Sequence, residues 1–352
     1  MRLFRGDDIA ARISSHVMKE IGILGAGSWG TALSVHLARI GHEVRLWARE
    51  ADVVDQMRTE RVNGLFLPGI VLPPAITPCA RLEDAVAGVD LVLVVTPSHG
   101  TRSVLRQAAP ALRPAATIVS ATKGLEVETM LRASEVIEQE VGPGHPVVVL
   151  SGPTFAREVA LELPTVVCAA SADCAAAELV QSEFRGRAFR LYTTDDVVGV
   201  EIGAALKNVI AIAAGVVEGL GLGHNAMAGL ITRGLAEISR LAHALGGRRE
   251  TLAGLSGLGD LVLTCTGSLS RNRQFGIELG RGRSCREILG AMTMVAEGVL
   301  TTGAALALGA RHGVELPIAA QMADVLEGRK DPRAAAEALM LRPQRVEVDG
   351  RW

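Results

Sequence analysis

The chain has 352 residues, of which 49% are apolar and only 3% aromatic, and its 36 basic side chains nearly balance 38 acidic ones. That length suits two domains with aliphatic cores, and the absence of a basic block argues against nucleic acid as a partner. The five cysteines are scattered without C-x-x-C spacing, which argues against a disulfide framework or a zinc site and for reduced thiols in a cytoplasmic protein.

Residues 1–18 are charged and unpatterned, so they are expected to form a flexible extension, and they lack the apolar stretch of a secretory signal. Ile21-Gly-Ile-Leu24 is a short apolar strand. It runs into Gly25-Ala-Gly27-Ser28-Trp29-Gly30, an apolar-periodic helix over Thr31 to Ile40, and a second strand over Glu43 to Trp47. Strand, G-x-G-x-x-G, helix and strand within about 30 residues is the pattern of a dinucleotide-binding turn. Gly25 makes the tight turn, Gly27 lets a pyrophosphate approach the backbone, and Gly30 lets helix and strand come close. The anion sits on the helix N-terminus, where free N–H groups and the dipole favour negative charge. A merely tight turn and a methyltransferase loop are the competing readings.

The second strand ends in Ala48-Arg49-Glu50. An acid at this tip binds a ribose 2′-hydroxyl and an arginine meets a 2′-phosphate. Arg49 comes first, which favours NADP(H), and Glu50 keeps NAD(H) possible; a solvated loop arginine is the alternative. The Pro-rich run Val62 to Ala80 carries no charge but cannot be a membrane helix, since it holds Pro68, Pro73, Pro74 and Pro78.

Continuous apolar runs at Leu91–Val95, Thr117–Ala121, Val147–Leu150, Thr165–Ala169 and Phe189–Leu191 read as strands buried on both faces. Helical patterns, Arg102–Leu112 and Glu126–Gln139 among them, alternate with these runs. The expectation is an α/β fold with a Rossmann-like, doubly wound, mostly parallel sheet. Ligands to such sheets sit beyond the strand C-terminal ends. Those ends carry Thr96-Pro-Ser-His99, Thr122-Lys123-Gly124 and Ser151-Gly152-Pro-Thr154-Phe-Ala156, which suit a cofactor and an anionic substrate.

After about Asp195 the strand signal stops, and 197–219, 225–245, 284–289, 298–312, 317–327 and 332–341 all read helical. We therefore expect a nucleotide-binding domain over 19–196 and an all-α C-terminal domain over 197–345, with a substrate cleft between them. From Ile202 to Val217 the one charged residue is Lys207. Apolar residues on every face mark a buried helix. Burying an ammonium costs several kcal/mol unless it is paired or loses its proton, while a snorkelling lysine is the bland alternative. Further on, Leu255-Ser-Gly-Leu-Gly-Asp260 offers a carboxylate that caps a helix or serves a site. Ser268-Leu-Ser270-Arg271-Asn272-Arg273 offers the hydroxyl, guanidinium and amide of a phosphate clamp, or a polar helix start.

In order along the chain, Gly25-Ala-Gly-Ser-Trp-Gly-Thr-Ala-Leu33, Thr122-Lys-Gly-Leu125, Leu150-Ser-Gly-Pro-Thr-Phe-Ala156, Gly203-Ala-Ala-Leu-Lys-Asn-Val209, Gly257-Leu-Gly-Asp-Leu261, Leu269-Ser-Arg-Asn-Arg273 and Val295-Ala-Glu-Gly298 resemble one family closely. It is the bacterial-type NAD(P)-dependent glycerol-3-phosphate dehydrogenases. The resemblance implies reversible reduction of dihydroxyacetone phosphate to sn-glycerol 3-phosphate for phospholipid synthesis, in a cytoplasmic homodimer without a metal. It implies that Lys207 is the proton donor, with Asp260 and Lys123 assisting. Ser28, Trp29, Arg49, Lys123, Ala156, Arg271, Val295 and Glu297 would touch the cofactor beside the glycines of the loop. Lys123, Gly152, Thr154, Lys207, Asp260, Ser270, Arg271 and Asn272 would hold the substrate. Thr96 to Arg102, His224, Met227 and Gly229 depart from the usual family residues. The other readings are a 3-hydroxyacid or ketopantoate type of reductase, and an NADP-binding protein without activity.

Overall fold

The computed structural model describes residues 18–292, 296–344 and 346–347, so the expected extension over 1–17 lies outside the described residues. The chain divides into two compact units. One comprises the chain through Lys123 together with Leu131–Glu201; the other comprises Gly124–Met130 together with the chain from Ile202 onward. The division falls inside a helix, after Glu201, a few residues beyond the change of composition near 196. A helix that continues through the change carries no local signal of the boundary.

The first unit alternates strands and helices: β1 (Glu20–Leu24), α1 (Ser28–Arg39), β2 (Glu43–Trp47), α2 (Ala51–Thr59), β3 (Ile76–Cys79), α3 (Leu82–Val86), β4 (Leu91–Val94) and α4 (Ser98–Ala108). There follow β5 (Thr117–Ser120), α5 (Ala133–Val141), β6 (Val147–Ser151), α6 (Ala156–Ala160), β7 (Thr165–Ala170), α7 (Cys174–Phe184) and β8 (Phe189–Thr194). The strands form one eight-stranded sheet in the order β3-β2-β1-β4-β5-β6-β7-β8. Every neighbouring pair is parallel except β6–β7.

Successive strand residues serve two separate cores. Ile21, Ile23, Leu91, Leu93, Val119, Val148 and Leu150 join the cluster on one face. Leu24, Val92, Val94 and Ile118 join the cluster on the other. This alternation on strands covered on both sides is why the inner strands read as largely apolar runs, whereas β8, expected to be buried on both faces, is an edge strand that exposes Arg190 and Tyr192. β3 carried no such signal, because Pro78 removes a ladder donor. The strand tolerates it as an edge strand, paired only to β2.

The helical stretch expected over Glu126–Gln139 is corrected: the helix begins only at Ala133. Met130 takes a left-handed conformation, with φ of 63°, and ends any helix before it. The first turn of α5 is capped from a distance. The Ser134 backbone N–H and hydroxyl donate to the Glu201 carboxylate at 2.8 and 2.6 Å, and Arg132 donates to it at 2.8 Å. Burial pushes the Glu201 pKa up, while Arg132 and the Ser134 donors pull it down.

The rest of the chain is helical: α8 (Val197–Gly219), α9 (Gly223–Ala244), α10 (Arg249–Leu252), α11 (Asp260–Thr266), α12 (Arg271–Gly280), α13 (Cys285–Ala291), α14 (Glu297–Arg311), α15 (Pro317–Leu326) and α16 (Pro332–Met340). Among the described residues, α8 is the one helix that by itself has the length and apolarity of a membrane span, and 89% of its most apolar window is buried inside the protein. It is a core helix. Its backbone meets that of α12: a Cβ on Gly215 would lie 2.0 Å from the Arg273 carbonyl oxygen, and one on Gly276 would lie 1.9 Å from that of Ile212. Only glycine at both positions permits this approach, which seats the start of α12 beside the middle of α8.

Glu237 on α9 is 4% exposed and caps α15, accepting from the backbone N–H groups of Ile318 at 2.8 Å and Ala319 at 3.5 Å. Burial raises its pKa from 4.5 to about 7, against the opposing pull of those N–H groups, Arg240 and Arg342. The fold therefore holds a proton that the unfolded chain releases. Stability from this group is complete below pH 4.5 and is lost as pH rises to about 7, by up to about 3 kcal/mol. Denaturant titrations of wild type and Glu237→Gln at pH 5 and pH 8 should show a smaller decline in the variant. Equal declines would refute this linkage.

Candidate active site

The glycine loop joins β1 to α1. Gly25 has a φ of 119° and its Cβ position lies 2.7 Å from the Val95 carbonyl oxygen; that of Gly30 lies 1.8 Å from the Gly25 carbonyl oxygen. Both glycines are thus required by the protein's own backbone. Gly27 is different, because no described residue beyond its chain neighbours comes within 4 Å of its Cβ position. Its lack of a side chain leaves room for an approach from outside the fold. Gly27 is the N-cap of α1, no side chain caps the helix, and its first turn holds no acid. Bare N–H groups with no competing carboxylate suit a pyrophosphate. The residues present therefore fit a dinucleotide.

Trp29 and Ala156 both pack against the same core cluster, and the Trp29 indole Nε1 is buried without a hydrogen-bond partner among the described residues. The Ser28 hydroxyl, expected at the cofactor, donates to the Phe66 carbonyl at 2.6 Å. At the tip of β2 the Arg49 side chain is 81% exposed and bonds the Glu50 carboxylate through Nε at 3.1 Å and Nη2 at 2.7 Å. At the next tips Lys123 Nζ donates to the Gly152 carbonyl at 3.0 Å and to Thr154 Oγ1 at 3.1 Å, so these three expected residues form one group.

In the second unit, Lys207 and Asp260 are 5% and 0% exposed and form an ion pair. The snorkelling alternative for Lys207 and the capping alternative for Asp260 both fail. The lysine head is buried, and the carboxylate turns to Lys207 while Gly259 occupies the N-cap of α11. A single π-turn, Leu255–Gly259, leads into Asp260, an irregularity frequent at functional sites. Thr264, one turn along α11, donates to the Asp260 backbone carbonyl at 2.6 Å and stands 3.3 Å from Oδ1. Cys265 lies close enough to sense both charges, and burial pushes its thiol up to about 12, so it stays a neutral wall of the site.

Asn272 braces this region. Its amide donates to Asn208 Oδ1 at 3.0 Å and its carbonyl accepts the Gly298 N–H at 3.0 Å, tying α12 to α8 and α14. Ser270 caps α12 by accepting the Arg273 N–H at 3.2 Å. Arg271 and Glu297 begin α12 and α14. Desolvation lowers the Arg271 pKa and the Glu297 charge opposes that shift. Val295 lies outside the described residues. Asn208, Thr264 and Cys265 were not signalled by the sequence as site residues. The spacing of Thr264 four residues after Asp260 is the one cue that a helix reading offers.

A Rossmann-type sheet with a phosphate-ready glycine loop, followed by a helical unit with a buried lysine–aspartate pair, defines a dinucleotide-dependent protein of the two-unit dehydrogenase class. Comparison with known proteins gives the particular family. Residues 20–177 match the family model of the NAD-dependent glycerol-3-phosphate dehydrogenase N-terminus, and residues 196–337 match that of its C-terminus. The glycerol-3-phosphate dehydrogenase (NAD(P)+) of Geobacter sulfurreducens is 53% identical over 336 residues, covering 95% of this chain and 99% of the relative. That of Koribacter versatilis is 54% identical over 335 residues, covering 94% and 99%. A crystal structure of glycerol-3-phosphate dehydrogenase from Coxiella burnetii superposes with a TM-score of 0.89 at 42% identity, covering 92% of this chain and 99% of that one. The chain belongs to the NAD-dependent glycerol-3-phosphate dehydrogenase family, whose members are oxidoreductases using NAD or NADP.

Removing one member of a buried ion pair strands the other. Asp260→Ala is expected to cost about 3–5 kcal/mol of stability, and Lys207→Met, which keeps the apolar volume that an alanine gives up, is expected to cost less. Urea titration checks the order, and an Asp260→Ala protein as stable as Lys207→Met contradicts it.

Proposed function

We propose that the protein catalyses the reversible reduction of dihydroxyacetone phosphate to sn-glycerol 3-phosphate, with Lys207 as the general acid and base. The observation that carries this reading is the buried Lys207–Asp260 pair, its lysine the one charge from Ile202 to Val217 of α8. Such a pair gives little net stability over apolar packing, so its retention is explained by proton transfer. The relatives' shared name supplies the substrate class.

When bound, the nicotinamide supplies a hydride to the substrate carbonyl carbon. The carbonyl oxygen then gains charge, and Lys207 Nζ gives it a proton. Asp260 holds the ammonium in place before transfer, and Thr264 fixes Asp260. In the reverse direction Lys207 accepts the hydroxyl proton. Arg271 is the proposed phosphate anchor, by charge-assisted bonds. Asn272 has committed one amide hydrogen to Asn208, and its second is assigned to the phosphate. Ser270 holds the start of α12 that presents both. In the first unit, the N–H groups at Gly27 to Gly30 are proposed to take the pyrophosphate, with Trp29 and Ala156 beside them. Lys123, Gly152 and Thr154 form the proposed anion-binding group at the strand tips.

The exposed Arg49 favours a 2′-phosphate, and Glu50, already bonded to it, is the acceptor for an unphosphorylated ribose. We assign NADP(H) as preferred and NAD(H) as used. The protein is assigned to the cytoplasm, where its free thiols, the exposed Cys174 among them, stay reduced. The product is a precursor of phospholipids, which places the reaction at the entry to their synthesis.

Steady-state reduction of dihydroxyacetone phosphate, with NADPH and NADH in parallel, is expected to show turnover with both and a higher kcat/KM for NADPH. Lys207→Ala should lower kcat by a factor on the order of 10²–10⁴ with cofactor affinity retained. Near-normal turnover in that variant would remove Lys207 from the chemistry. Turnover of keto acids in place of the phosphate would overturn the substrate assignment.

A further inference from the structure

A loop remote in sequence holds the glycine turn from behind. Asn63 is fully buried and its side chain makes three hydrogen bonds. Its Nδ2 donates to the Ala26 carbonyl at 2.8 Å and to Thr31 Oγ1 at 2.9 Å, and its Oδ1 accepts the Phe66 N–H at 3.1 Å. Thr31 Oγ1 also donates to the Ala26 carbonyl, at 3.2 Å, so that oxygen accepts two bonds. Phe66 in turn accepts the Ser28 hydroxyl.

The Ala26 carbonyl matters because of the peptide that it belongs to. In a trans peptide the C=O and the following N–H point in opposite directions. Holding the Ala26 oxygen toward Asn63 therefore turns the Gly27 N–H the other way, away from Asn63, and no described residue beyond its chain neighbours comes within 4 Å of the Cβ position of Gly27. The glycine that admits a pyrophosphate also frees this peptide to rotate, since Gly27 opposes little barrier to other backbone angles. A rotated peptide would present a carbonyl oxygen to the anion in place of an N–H. The loop thus carries a freedom that its function cannot tolerate.

We propose that Asn63, with Thr31, is a positioning residue that locks the Ala26–Gly27 peptide with its N–H toward the cofactor pyrophosphate. The inference rests on the dinucleotide reading of the loop. It extends that reading to a residue that touches no ligand itself and acts through a backbone orientation.

The test replaces the donor and keeps the shape. Asn63→Asp retains an acceptor for the Phe66 N–H but cannot donate to Ala26. NADPH and NADH binding is measured by quenching of tryptophan fluorescence, alongside KM for each ligand and kcat. The expected result is a tenfold or greater rise in Kd and KM for both nucleotides, with kcat at saturating cofactor and KM for dihydroxyacetone phosphate within about twofold of wild type. Thr31→Val, which removes the second donor to Ala26, should move cofactor KM in the same sense by a smaller factor, and Thr31→Ser should restore it; this pair decides if Asn63→Asp does not fold. A lowered Tm with unchanged cofactor Kd, or equal changes in both KM values, would overturn the proposal. Wild type that binds neither nucleotide would overturn the cofactor reading itself, an outcome separable from the first because it appears before any substitution.

Discussion

An ammonium buried in apolar surroundings must have a partner, and in this protein one helix imposes that demand. Lys207 is 5% exposed in the middle of α8, and no residue of its own helix near it carries a charge. The partner has to come from elsewhere in the chain. Asp260 supplies it, from the start of a helix reached through a π-turn. Much of the second unit follows from bringing that carboxylate in and keeping it there. The glycines of α8 and α12 let backbones touch, Asn272 ties α8 to α12 and α14, and the neutral Cys265 excludes a rival charge. A pair held so tightly adds little to stability over apolar packing.

The first unit solves the opposite problem. It must leave backbone polar groups bare for an anion without letting the loop collapse or turn over. Gly25 and Gly30 are fixed by contacts with the protein's own carbonyls, whereas the Cβ position of Gly27 meets no described residue beyond its chain neighbours. The sheet beneath is buried on both faces by separate cores, so its strand tips are rigid supports. Lys123, Gly152 and Thr154 come together on two of those tips.

The elements most legible in the sequence are those whose signal is local. Leu91–Val95 is apolar without interruption and Thr117–Ala121 nearly so because both faces are covered, and α8 is apolar on every side from Ile202 to Val217, Lys207 and Asn208 apart, because it is a core helix. The helical limits 197–219 agree to the residue. The glycine spacing named its own turn. β3 was hidden because Pro78 is a poor strand residue that only an edge position accepts. The helix expected from Glu126 was cut short by a left-handed Met130, a conformation that no pattern of apolar residues announces.

What the sequence by itself determined is the list of parts: a parallel sheet with a phosphate turn, a helical second half, and a lone lysine in an apolar helix. Those features depend on neighbours a few residues apart, through the periods of strand and helix. Tertiary structure alone decided which parts meet. Asp260 read equally well as a helix cap until it was seen against Lys207, and Asn63 carried no signal because its bonds reach 32 and 37 residues back along the chain. Glu201 is 67 residues from the helix it caps. Each of these groups is buried and polar, and a buried polar group takes its partner from whatever the packing brings near. Distance along the chain does not encode that choice.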